Sequence, residues 1–223
     1  VMGHAAEDIF LDTLSDDVTA IRNVSKTILS ESQQINPVKL MKRLQSDESS
    51  ATDVLEILQF QKSSIAPELM IRNAVKLNVP LAKRLFAIAT EEAERTNLED
   101  LPVKPEHFSN PELKIEFLRF LSAVNQPEAA RRMCEFLGDS SKVVVLEALK
   151  NLSNIDTEFD PTPIIPFIPG LTRESADTAF DILELKLTED KLPALTSLLT
   201  GQSDIIRQQA CSIAVDLVTT ESL

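Results

Sequence analysis

The chain has 223 residues, 43% of them hydrophobic, and a net charge of −13 with a pI near 4.6. That length can bury a sizeable core and that hydrophobic content excludes a disordered chain. The acidity argues against nucleic acid and against an anionic membrane surface as partners, because both ask for a basic face. With 4 glycines and neither Tyr nor Trp, the composition favours helices over strands. No apolar run is long enough to span a bilayer. The opening VMGHAAEDIF lacks the basic and apolar stretches of a signal peptide. It does not begin with Met, so Val1 to His4 reads as a cloning remnant, or the whole chain as a piece of a larger protein.

Helical periodicity runs through nearly the whole chain. It marks helices near Asp16–Ser30, Pro37–Gln45, Thr52–Lys62, Pro67–Asn78 and Pro80–Thr96, in a first half less regular than the second. LPVKPEHFS, Leu101 to Ser109, interrupts the pattern with two prolines and reads as an insertion or linker. Asn110-Pro111-Glu112 then supplies an N-cap, a proline at the first helical position and an acid in the first turn. Leu113, Phe117, Leu118, Leu121 and Val124 form the apolar stripe that follows. Pro127 opens another helix with Met133, Phe136 and Leu137 inward. Ser140 or Ser141 caps the next, with Val144, Ala148, Leu149 and Leu152 inward. The short connections predict antiparallel helix hairpins.

The second half repeats itself at a step of 31 residues. Met133, Ile164 and Leu195 align, as do Phe136, Phe167 and Leu198, and Leu137, Ile168 and Leu199. In the second helix of each pair Ala148, Ala179 and Ala210 align, followed by Leu149, Phe180 and Cys211, and by Leu152, Leu183 and Ala214. The alanine column predicts close helix–helix approach, with Ala179 unable to accept a larger side chain that Ala5 would tolerate. The same register places Pro161 and Pro163 at the start of a first helix. There a missing N–H costs little, whereas Pro166 inside it should kink or shorten the helix. Pro169-Gly170 ends it and Thr172 caps its partner.

These hairpins, carried by Val144 to Leu152, Ser175 to Leu183 and Ile206 to Ala214, resemble a HEAT or HEAT-like repeat. SDIIRQQACSIAVDLV is nearest to that pattern, with Arg207 after Ile206; Val145 and Ala176 stand at that place in the other two and depart from it. The step is also shorter than the roughly 40 residues of long HEAT repeats. The resemblance implies an all-α fold: a right-handed α-α superhelix of antiparallel helix hairpins. Residues 1–109 form an irregular helical N-terminal portion and residues 110–223 the HEAT-like repeats, in one continuous solenoid. The function it implies is a protein–protein interaction scaffold or adaptor, a module of a larger protein or complex, rather than an enzyme. The alternative is a HEAT-like enzyme or enzyme subunit, bilin-lyase-like or DNA-glycosylase-like. The charge and the lack of Tyr and Trp weigh against the glycosylase version.

No catalytic constellation is legible. His107 in the proline-rich stretch has only Glu106 beside it, and His4 stands apart near the N-terminus, so neither a metal site nor a cofactor is expected. Cys134 (in MCEFL) and Cys211 (in QACSIAV) are expected to be buried, reduced thiols of an intracellular, cytoplasmic protein. Charge distribution is the remaining clue. Residues 1–126 hold 14 basic and 19 acidic side chains, and residues 127–223 hold 8 and 16. The second helices of the repeat half carry Glu147, Asp177, Asp181, Glu184 and Asp216. The family resemblance puts second helices on the concave face, so these five residues are the candidate binding site for another protein, through a basic segment. The oligomeric state is open.

Overall fold

The computed structural model describes residues 4–32 and 35–220, without the side chains of His4, Ala5 and Thr220; the expectations for His4 and Ala5 lie outside it. Every described element is helical, and consecutive helices pack on one another. The chain divides into two compact units, Val1–Val103 and Lys104–Leu223.

The first unit contains α1 (His4–Asp12), α2 (Thr19–Glu31), α3 (Pro37–Ser46), α4 (Ala51–Gln61), α5 (Pro67–Ala74) and α6 (Val79–Thr90). Prolines at the first turns of α3, α5 and α6 occupy positions whose N–H would be unpaired anyway. The side chains of Asn36 and Asn78 cap α3 and α6. α1 packs on α2, α3 on α4 and α5 on α6, while α2, α4 and α6 lie side by side. The result is two layers: first helices of the hairpins in one, second helices in the other.

The second unit contains α7 (Pro111–Val124), α8 (Pro127–Cys134), α9 (Lys142–Ser153), α10 (Arg173–Lys186), α11 (Thr196–Leu199) and α12 (Asp204–Thr220). Its second-helix layer is α7, α9, α10 and α12, each on the next. Phe108, Phe117, Phe120 and Phe136 pack together, with ring centroids 5.2 Å apart between Phe108 and Phe117 and 6.0 Å between Phe117 and Phe136. The boundary between the two units falls within the stretch 101–109, after Val103, and Leu101, Val103 and Phe108 are all buried.

One burial pattern recurs in the second helices. In α4 it is Ala51, Val54, Leu55, Ile57 and Leu58; in α6, Ala82, Leu85, Phe86, Ile88 and Ala89; in α9, Val145, Ala148, Leu149, Asn151 and Leu152. α7 keeps its last four places with Phe117, Leu118, Phe120 and Leu121, and α10 with Ala179, Phe180, Ile182 and Leu183. At about 100° per residue, Phe180 and Ile182 stand some 200° apart, so they face opposite neighbours. Polar contacts identify the neighbours. Glu174 of α10 meets Lys150 of α9, whereas Asp177 accepts from Gln209 of α12. Phe180 thus lies on the forward flank and Ile182 on the rear flank.

Hydrogen bonds between neighbouring hairpins join residues 29 to 33 apart in the sequence. Buried Glu7 accepts from the backbone N–H of Asn36, 29 residues on, and buried Glu68 accepts from that of Asn97, also 29 on. Gln61 donates to the carbonyls of Ser30 and Ser32, Arg43 to that of Asp12, and Arg95 to that of Lys62. Asn125, left-handed at φ 49° where α7 ends, accepts from the N–H of Asp156, 31 residues on. The first unit includes a helix, α1, that the periodicity did not mark, and its α2 departs from the burial pattern, with only Ser25 and Leu29 buried.

Two further expectations change. TPIIPFIPG winds as a nine-residue 3₁₀ helix, Thr162–Gly170, rather than a kinked α-helix. Three residues per turn align Pro163, Pro166 and Pro169 on one exposed stripe, and Ile164, Ile165 and Ile168 are buried. The prolines cause this. An α-helical turn would press each ring against the carbonyl four residues back. The equivalent first helix before α12 is also mostly 3₁₀, Glu189–Leu195, running into α11. Cys211 is the second change. It is exposed, while Cys134 is buried.

Candidate functional site

The outward surface of the second-helix layer in the second unit carries the five acids. Asp177, Asp181 and Glu184 project from one side of α10, on the arc opposite Ala179 and Leu183. Thr172 caps that helix by accepting from the N–H of Ser175 at 3.3 Å and donates to the Ser175 hydroxyl, which holds its first turn in place.

The five do not form one patch. Glu147 of α9 is half-buried and engaged by Arg119 of α7, with Arg119 Nε 3.2 Å from Glu147 Oε1. Asp177 accepts from Gln209 Nε2 at 3.3 Å, and Arg173 Nε stands 4.0 Å from its other oxygen. Lys150 pairs with Glu174 at 3.4 Å. Bases thus offset the acids between α7 and α9 and along the first turns of α10. Asp181 and Glu184 are exposed and project further along α10. Asp216 lies two turns beyond Gln209, just as Glu184 lies two turns beyond Asp177. The register of the Asp177–Gln209 contact therefore sets Glu184 and Asp216 on the two sides of the α10/α12 groove. Leu185, the large apolar side chain beside Glu184, is 72% exposed. The periodicity missed Leu185, although its place in LELK directly after the acidic side of α10 was readable.

Outside this surface the chemistry is structural. His107 Nδ1 accepts from the backbone N–H of Lys104 at 3.0 Å and closes the turn Pro105–His107. Asp47 accepts from the hydroxyls of Ser15, Ser49 and Ser50, in that order of importance for holding its carboxyl well below the usual range. Burial pushes the Cys134 thiol up to about 12. Lys114 and Asp139 form a nearly buried pair at 2.5 Å, and the other Asp139 oxygen accepts from Ser141 at the start of α9. Among the described residues no three His, Cys, Asp or Glu side chains are grouped to hold a metal ion, and no helix is long and apolar enough to cross a membrane.

What these features define is an all-helical protein in which consecutive helices pack on one another. The chain matches no protein-family model, no curated protein and no solved structure.

Proposed function

We propose that the chain is an intracellular, cytoplasmic interaction scaffold of the HEAT-like solenoid kind, in which the outward face of α10 and the adjoining side of α12 receive a basic, amphipathic segment of another protein. The observation that carries this reading is the joint exposure of Asp181, Glu184 and Leu185 on a helix otherwise matched in charge. An exposed apolar side chain beside carboxylates suits a helix with Lys or Arg flanking a leucine, since the apolar contact supplies affinity and the charges set orientation. Of the five candidate acids, Asp181, Glu184 and Asp216 form the binding set. Asp177 frames it, and Glu147 serves the α7–α9 contact.

A fluorescent Lys/Arg-rich helical peptide with a central leucine, titrated by anisotropy, tests the reading. Binding should weaken as salt shortens the screening length from about 8 Å at physiological ionic strength. The double variant Asp181→Lys, Glu184→Lys should lose it with an unchanged helical spectrum. Equal affinity of wild type and double variant would refute this binding face.

A further inference from the structure

One cavity recurs within the second unit at the step of the repeat. The first, of about 240 Å³, is walled by Phe167, Gly170, Leu171, Thr172 and Ser175 against Leu137 and Val145 of the preceding hairpin. The second, of about 340 Å³, is walled by Leu198, Gly201, Gln202, Ser203 and Ile206 against Pro169. Each of these five residues stands 31 places after its counterpart in the first wall. The cavities therefore lie side by side, where one first helix turns into α10 and the next into α12. Phe167 leaves apolar surface open in the first: it is half-buried, whereas its counterparts Phe136 and Leu198 are buried. Both rims are held in place. Asp139 at the first is engaged by Lys114 and by the N–H of Ser141, and Thr172 by Ser175. At the second, Arg207 donates to the Gly201 carbonyl at 2.6 Å.

Charge and spacing describe the occupant. Exposed Lys142 lines the first cavity, and its counterpart one repeat on is Arg173, whose side chain is 95% exposed. They are the first residues of α9 and α10, where the helix dipole favours an acid instead. In a chain of net charge −13, two cations so placed suit an anionic partner. Adjacent packed helices lie about 8–10 Å apart. A polyproline II segment rises about 3.1 Å per residue with three residues per turn, so its side chains i and i+3 share one side about 9 Å apart. A β-strand turns i and i+3 to opposite faces. An α-helix covers that distance only over about six or seven residues. Its backbone would also be closed to the hydroxyls of Ser140 and Thr172 and to the Gln202 amide on the rims. We propose that this edge of the second unit binds an acidic, proline-rich segment of another protein in the polyproline II conformation. Apolar side chains at i and i+3 fill the two cavities, and carboxylates beside them meet Lys142 and Arg173. The site shares no residue with the acidic face of α10 and α12 and takes a partner of opposite charge.

The probe is the fluorescent peptide Asp-Leu-Pro-Glu-Leu-Pro-Asp, titrated by anisotropy against the full chain. Wild type should bind it about tenfold more tightly than the isomer Asp-Leu-Pro-Glu-Pro-Leu-Asp, whose leucines no longer share one side. Gly170→Leu fills the first cavity from a position where an added Cβ meets nothing within 4 Å, so the fold should persist. Gly170→Leu and Lys142→Glu should each weaken binding about tenfold with an unchanged melting temperature. Asp181→Lys/Glu184→Lys should not weaken it, so failure here and failure of basic-peptide binding are read separately. A wild type that does not bind the peptide overturns the proposal. So does equal affinity for the two isomers, or wild-type affinity in Gly170→Leu or in Lys142→Glu.

Discussion

Cys134 and Cys211 sit in similar apolar surroundings along the chain and in opposite ones in the fold. A sequence window reports which side of a helix is apolar; it does not report whether a neighbour covers that side. Leu149 and Phe180 are covered by the next helix, whereas Cys211, in the same column, is not. One thiol per native chain should therefore react rapidly with maleimide, and Cys134 only on unfolding. Two equally fast thiols would contradict the burial of Cys134. Its folded pKa is raised from 9.0 to about 12, so the stability that its buried, neutral form confers is fully present below pH 9 and is lost as pH rises from there toward 12. Lys26, Lys39 and Lys62, whose pKa values are raised by their carboxylate partners, also lose charge in that range, so thermal melts of wild type and Cys134→Ser should both fall, and more steeply in wild type; equal slopes would contradict the Cys134 contribution. The acids teach the same lesson. Their i, i+4, i+7 spacing on α10 was readable, whereas the Arg119 partner of Glu147 comes from another hairpin and was not.

At the scale of elements, the helices and their caps were largely legible because local chemistry sets them: Asn36, Asn78, Asn110 and Thr172 each cap the helix that follows. The winding of TPIIPFIPG was legible too, had the proline period of three been weighed above the apolar column. The burial pattern shared by α4, α6 and α7 was harder to see. Their place corresponding to Ala148, Ala179 and Ala210 holds Val54 in α4, Leu85 in α6 and Phe117 in α7, so a small residue is not a general requirement of the stack. In α10 it is nonetheless a local one, since Ala179 is fully buried. Ala179→Leu should cost about 1–3 kcal/mol by overpacking, while Gln208→Leu, on the exposed side of α12, should change little. Urea midpoints of the two variants decide this; equal midpoints would remove the packing assignment.

At the scale of the whole molecule, each helix packs mainly on its neighbours in sequence. Hydrogen bonds between hairpins join residues about one repeat apart, as between Glu7 and Asn36 or Asn125 and Asp156. On the solenoid reading proposed above, stability is a sum of hairpin terms and interface terms between adjacent hairpins. A lesion should therefore be felt by its neighbours and fade beyond them. Phe180 is the sharpest probe, because it lies on the forward flank of α10 toward α12. Phe180→Ala should cost about 3–5 kcal/mol at that site. Residue-resolved amide hydrogen exchange on wild type and Phe180→Ala measures where the loss goes. The account predicts the greatest loss of protection in α10 and α12, a smaller one in α9, and unchanged protection in α7 and throughout α2, α4 and α6. An equal loss across all the second helices would contradict it.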